Sequence, residues 1–447
     1  MILDAERQAL LARPLKDTPL DALQNLFLGA AKADTQWFVG LELEVLAFHR
    51  DGHRSVEHER LAKILEKLGT RRSMQYEHES NGALVGLKGE GQAVSLEPGG
   101  QLEYASRPHR SLKKLRQELF DYMADLKASA GDDLGFWAVG QQPHVDRHTA
   151  PKMPKPRYDQ MRRFFGQRGA RALDMMHLTG SVQCTVDFLD ERNLVNKVRT
   201  AVKASPFLSA LVAASPFSSG RPNGFKTVRY QIWLETDDDR AGIWPEMLDD
   251  EGLTVRRYIE RAMKAAPVFF IRDGEYFAPE YKPFSHFRDE GFGGTDVTVA
   301  DFLDHLTTFF PEVRAKGYVE MRGADCLPPA WAVAIAGFWR GLLDDEACRQ
   351  EVDDRLKSMD YEALRALQPQ VARQALEGNS PAGPVVEVAR WLAQRAHERL
   401  STSAPDCAEC VLPLVEQAEK GVSPADEMLA AVASGQSIEE ALAPFEI

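Results

Sequence analysis

Glu42 and Glu44 stand two apart in VGLELEVLAF, residues 39–48. Alternation along a strand puts them on one face and Val39, Leu41, Leu43 and Val45 on the other. Neighbouring carboxylates on one sheet face repel each other. Either that face is solvated, or the acids hold a hard cation such as magnesium, whose ligands are oxygens. A second acidic stretch, SLEPGGQLEYAS at 95–106, sets Glu97 and Glu103 on either side of a Pro-Gly-Gly turn. Gln101 and Glu103 share a face of the strand after that turn. Alone, this segment reads as a solvated hairpin. Beside Glu42 and Glu44 it reads as part of a sheet floor able to hold two or more ions.

Other stretches carry cations and hydrogen-bonding groups. GSVQCTVDF places Gln183 and Thr185 on one strand face, opposite Val182 and Cys184. In RYQIWLETDDDR, read as a strand, Arg229 and Gln231 share a face and Trp233 follows on it. An Arg there could fork a carboxylate and a Trp could wall a small pocket, or the Arg could be a buried structural partner. In KGYVEMRGAD (316–325), Glu320 and Arg322 share a face, with Gly323 ending the strand. That pair suits a metal-bound phosphate, Glu holding the ion and Arg the phosphoryl oxygens; a cross-strand salt bridge is the competing account. Lys152, Lys155, Arg157, Arg162 and Arg163 form a local basic face. Neither a Walker loop nor a dinucleotide-binding glycine motif is present, so a nucleotide would have to be held by sheet and metal.

The elements that would position these groups are short strands and helices. Strands are expected at 37–48, 83–87, 93–105, 134–142, 181–188, 226–235, 267–271 and 317–322. Helical periodicity marks 5–33 and 110–130, and residues from 328 onward are almost wholly helical with a Pro/Gly break at 379–384. Residues 143–157 and 215–225 read as loops. The fold class is α+β: a mostly antiparallel sheet with helices around it. The chain is treated as one catalytic domain, with a helical segment at 1–36, a sheet-containing core at 37–327 and a helical region at 328–447.

Composition narrows the function classes. The chain of 447 residues carries 54 Lys and Arg against 67 Asp and Glu, a net charge of −13. Such acidity disfavours nucleic acid and anionic membranes as partners. The start, MILDAERQALLARPLKD, lacks the apolar core of a signal peptide, and WAVAIAGFW (331–339) is too short to span a bilayer. A cytoplasmic protein is expected. Five cysteines at irregular spacing do not form a secreted disulfide framework, and Cys407 and Cys410 read as an incidental pair.

Taken together, LEPGGQLEYAS, KMPKPRYDQM, ALDMM with TGSVQ and VDF, SPFSSGRPNGF, RYQIWLETDDDRAG, HLTTFFPEVRAKGYVEMRGAD and FWRGLLDD resemble the plant-type glutamate–cysteine ligases, a group shared by plants and many proteobacteria. They run in that family's order from about residue 37 to 345. The resemblance implies the fold of the glutamine synthetase-like carboxylate–amine ligases, a curved antiparallel sheet forming a funnel. It also implies ATP- and magnesium-dependent joining of the glutamate γ-carboxylate to the cysteine amine through an acyl phosphate, the first step of glutathione synthesis. Carried over, Glu42, Glu44, Glu97, Glu103 and Glu320 are metal positions, for two or more Mg2+ ions. Arg229, Trp233 and Gln183, with Arg162, are substrate positions, and Arg322 with Glu320 is catalytic. The implied partners are glutamate, cysteine and ATP, in a monomer or weak homodimer.

The chain departs from the pattern in three places. Leu178 stands where the family has Arg and Thr185 where it has Asn. No counterparts of the plant redox cysteines occur in 276–294, and CLPPAW replaces the usual residues after GAD. A related ligase using another acid or amine is therefore the alternative, and a non-catalytic binding protein on the same fold a more distant one.

Overall fold

The computed structural model describes residues 2–249 and 252–447. Its centre is a nine-stranded sheet: β1 (Val39–His49), β2 (Gln75–His78), β3 (Leu84–Lys88), β4 (Ala93–Leu96), β5 (Gln101–Ala105), β6 (Leu134–Trp137), β7 (Ser181–Val186), β8 (Val313–Ala315) and β9 (Val319–Asp325). The order is β8-β9-β7-β1-β5-β4-β3-β2, with β6 beside the far end of β1. Every pairing is antiparallel. The sheet is open.

The period-2 pattern of β1 explains its central place. Val39, Leu41, Leu43 and Val45 are buried on one face, covered by the helix Pro329–Leu343. That helix contains WAVAIAGFW and is apolar nearly all round because it lies inside the protein. No described helix is long and apolar enough to cross a membrane. One hydrophobic core runs from Leu15 to Phe445. All five cysteines are buried and unbridged.

The outcome differs from expectation in four segments. Residues 226–235 are not a strand: Val228–Leu234 is a helix, its N-terminus capped by the Thr227 hydroxyl, which accepts from the Tyr230 amide. A short apolar run reads equally well at period 2 or 3.6, and the cap decides. The strand expected at 134–142 ends at Trp137, and that at 267–271 shrinks to Phe270–Arg272, paired in a separate hairpin with Glu275–Phe277. β9 does not stop at Gly323 but continues to Asp325 through an irregularity between Met321 and Ala324. The helical stretch from 328 is interrupted at 379–384 by a small two-stranded turn, as its Pro and Gly suggest.

Candidate active site

The register of the sheet lays the predicted acids out in rows. Glu103 of β5 pairs with Glu44 of β1 on one side and with Ser95 of β4 on the other. Glu42 pairs with Gln183 of β7. Thr185, two residues along β7, pairs with Glu320 of β9, which pairs in turn with Arg314 of β8. Since side chains alternate strictly, this register alone places Glu42, Glu44, Glu103, Gln183 and Glu320 on one face. Glu97 joins them from the β4–β5 turn, where its Oε1 accepts from the Ser95 hydroxyl at 3.0 Å and the Tyr158 hydroxyl at 3.2 Å.

Among the described residues, no cation lies close enough to pair with the four acids of β1 and the β4–β5 hairpin. Ser181 Oγ donates to Glu44 at 2.8 Å, and Gln183 Nε2 reaches it at 3.5 Å. Burial, and then the charge of Glu97, pushes Glu44 up to about 7. Glu103 is raised well above the ordinary carboxylate range by burial and by Glu42, Glu97 and Glu44. Glu42 is raised by burial and by Glu320. Like charges held together out of water disfavour ionisation. A divalent cation among them would remove that penalty, and oxygen ligands from separate strands are what magnesium takes. The residues present therefore fit the ion.

At the other end of the same face the balance reverses. Glu320 is fully buried. Its Oε2 accepts from Arg314 Nε at 2.5 Å and Arg322 Nη1 at 2.9 Å, and Lys316 Nζ lies 3.6 Å from its Oε1. Burial would raise Glu320, but Arg314, Arg322 and Lys316 together hold it well below the usual range. Glu320 Oε1 has no hydrogen-bond partner, which leaves one oxygen for an ion. Arg322 Nη1 also donates to Gln183 Oε1. The face thus runs from unneutralised carboxylate to a cationic cluster, a gradient that suits a metal-bound polyphosphate.

Arg229 is engaged with the backbone of β9. It is 2% exposed, and its Nη1 and Nη2 donate to the carbonyls of Gly323 and Arg322 at 3.1 and 2.7 Å. Its fork is spent on the β9 irregularity, with Asp325 4.0 Å away. It therefore holds the backbone that carries Arg322, with its Nε left unpartnered. Gly323 is needed there, since a Cβ would strike Glu312 Oε1 and Ser205 Oγ. Trp233 lies one turn along the same helix from Arg229, so the two share a face after all, while Gln231 points elsewhere and donates to Glu235 at 2.6 Å. Trp233 Nε1 is buried without a partner, beside Phe310 with ring centroids 5.8 Å apart. Arg162 pairs with Asp159 at 2.5 Å, and its Nη1 is buried and unpartnered.

Sequence reasoning missed Arg314, Lys316, Tyr158 and Ser181. The first two alternate in VRAKG immediately before Glu320, so a turn at Lys316–Gly317 would have brought them to it. Leu178 is 4% exposed and packs with Val145 and Ala150 beneath the 143–157 loop. Thr185 lies on the acidic face, opposite Glu320.

Comparison with known proteins bears on this arrangement. The model of the family described as Glutamate-cysteine ligase family 2 matches residues 38–444. A chloroplastic glutamate–cysteine ligase of Nicotiana tabacum is 33% identical over 422 residues, covering 94% of this chain and 80% of that one. Its counterpart in Medicago truncatula is 32% identical over 416 residues, covering 92% and 81%. Among solved structures, the glutamate–cysteine ligase of Francisella tularensis in complex with AMP matches with a TM-score of 0.58 at 11% identity, covering 92% of this chain and 87% of that one. At that identity the likeness is one of fold.

Proposed function

The chain belongs to glutamate-cysteine ligase family 2, and from that premise we propose that it makes γ-glutamylcysteine with ATP and magnesium, by way of γ-glutamyl phosphate. The observation that carries the proposal is the single sheet face on which Glu42, Glu44, Glu97 and Glu103 meet the cluster of Arg314, Lys316 and Arg322 around Glu320.

A carboxylate is a poor acyl donor, so the glutamate γ-carboxylate first takes the terminal phosphoryl group of ATP and ADP leaves. The cysteine amine, having lost its proton, then attacks the acyl carbon and expels phosphate. Magnesium, held by Glu42, Glu44, Glu97 and Glu103 with Glu320 Oε1, which makes no hydrogen bond but faces Lys316, would supply charge neutralisation for the phosphates. Arg322, its guanidinium held by Glu320 and Gln183, would meet the phosphoryl oxygens. Arg229 acts one step back, by holding the backbone of Arg322. The buried donors without a partner include Trp233 Nε1 and Arg162 Nη1. These two are the groups we assign to the amino-acid substrate. Glu42, Glu44, Glu97 and Glu103 are half-buried, so bound substrates would have to complete the exclusion of water that protects the acyl phosphate.

We read the whole chain as one catalytic unit, supported by the large core that runs from Leu15 to Phe445, and as a monomer or weak homodimer. The relatives are chloroplastic by name, so they lend no support to the cytoplasmic location expected from the sequence.

A phosphate-release assay with ATP and magnesium across pairs of amino acids tests the proposal. Turnover should require glutamate and be greatest with cysteine. Brisk turnover with another acid and none with glutamate would instead favour the related-ligase reading that Leu178 and Thr185 raise.

A further inference from the structure

Away from the acidic face, three side chains from distant parts of the chain converge without bonding to one another. His53 lies in the turn after β1, His144 in the loop after β6, and Glu439 in the final helix, Ile438–Leu442. His144 Nε2 is 3.6 Å from Glu439 Oε1, and His53 Nδ1 is 4.0 Å from the same oxygen. The three ligand atoms all lie within 4.8 Å of one another. The two imidazole rings are 5.0 Å apart. His144 Nε2 is buried and has no hydrogen-bond partner, an uncommon state for a ring nitrogen with an acid so near.

A salt bridge explains these distances poorly. Both nitrogens lie too far from the carboxylate for hydrogen bonds. A tetrahedral ion with bonds of about 2.0–2.1 Å would sit among atoms roughly 3.3 Å apart. The observed separations need only a small closing movement.

We propose that His53, His144 and Glu439 form a binding site for a divalent transition ion of the zinc class, separate from the magnesium face. Two imidazoles and one carboxylate select such an ion over magnesium, which prefers oxygen alone. Three protein ligands leave a fourth position for water. The site joins the chain's last helix to two loops of the sheet core. The final residues already lie along β6, where Ala138 N donates to Phe445 O at 2.8 Å and Ile447 N to Phe136 O at 2.9 Å. On the other side, Gln142 N donates to Leu178 O and Gly180 N to Gly140 O, directly before Ser181 of the acidic face. The bound ion would therefore fasten the C-terminal segment to a loop that walls the acidic face.

The test is zinc binding by the chelator-stripped full chain in excess magnesium, which occupies the oxygen-only site. Calorimetry should find one equivalent of Zn2+ per chain, and cobalt should give the visible bands of a low-coordinate ion. His144→Gln and Glu439→Gln should each weaken zinc binding at least about tenfold, and the zinc-induced rise in melting temperature should vanish with it. Glu439 lies on a partly exposed helix, so Glu439→Gln keeps the fold if His144→Gln does not. Zinc bound with equal affinity by wild type and Glu439→Gln, or no zinc bound in excess magnesium, would overturn the proposal.

Discussion

Glu103 stands between Glu44 and Ser95 with three acids acting on it and, among the described residues, no cation within pairing distance. Glu103→Gln should therefore separate function from stability. Removing one of several crowded like charges relieves repulsion, so the variant without magnesium should melt higher than wild type. It should also lose the magnesium-induced rise in melting temperature and all ligation activity. A melting temperature that falls while ligation persists would show the acid to be a structural group. Leu178 gives the opposite case. The sequence pattern invites restoring the family's Arg there, as though it would improve glutamate binding. The side chain instead fills an apolar cluster with Val145 and Ala150. Leu178→Arg would bury an unpaired charge, at a cost on the order of 3 kcal/mol. Thermal unfolding should show the loss directly, with no compensating drop in the KM for glutamate.

At the scale of elements, the irregularity in β9 is what sets Glu320 and Arg322 to work together. It is held by Arg229, which reaches in from the Val228–Leu234 helix to two successive carbonyls. A lysine there keeps the charge but has no planar fork to span both. Arg229→Lys should lower kcat at least tenfold through Arg322 and destabilise the protein by about 1–3 kcal/mol, with a comparatively small change in the KM for glutamate. A large rise in that KM with kcat intact would restore Arg229 to direct substrate contact. How much could be read beforehand follows from the same elements. Glu42, Glu44 and Glu103 were legible because period-2 alternation puts a side chain on a face without reference to anything distant, whereas Glu97, in the turn, was singled out by its place beside Pro-Gly-Gly. Gln183 and Glu320 were legible by alternation too. The backbone contacts of Arg229 could not be read because they go to carbonyls of a strand irregularity, and nothing in a sequence marks where a ladder slips. The helix around it was mistaken for a strand because seven residues fit either period, and the Thr227 cap was not given weight.

For the whole molecule, the uneven distribution of charge over the acidic face makes stability depend on pH and metal together. Glu44 titrates at about 7 in the folded chain against 4.5 as its ordinary value. Between those values the folded state holds a proton that the unfolded state has lost, so this group's contribution to stability falls as pH rises through 7. Other groups act in the opposite direction outside a narrow window. Burial lowers His177 to about 4 and His305 to about 3, so below about pH 6.5 the unfolded state binds the extra protons and stability rises with pH. Lys197, lowered to about 8 chiefly by burial, likewise adds stability as pH rises above 8. Glu320, held low by its cations, stays ionised throughout. From pH 6.5 to 8 the acid cluster therefore dominates, and Glu44 alone costs roughly 1 kcal/mol across that interval. Magnesium takes ionised carboxylates and removes the penalty. In chelator, melting temperature should fall from pH 6.5 to 8; with magnesium it should not, so the rise caused by the metal is larger at pH 8. Glu44→Gln should flatten the profile measured in chelator. A wild-type profile in chelator that rises across this interval, or a magnesium effect independent of pH, would mean that the acids are solvated and that the ion binds elsewhere.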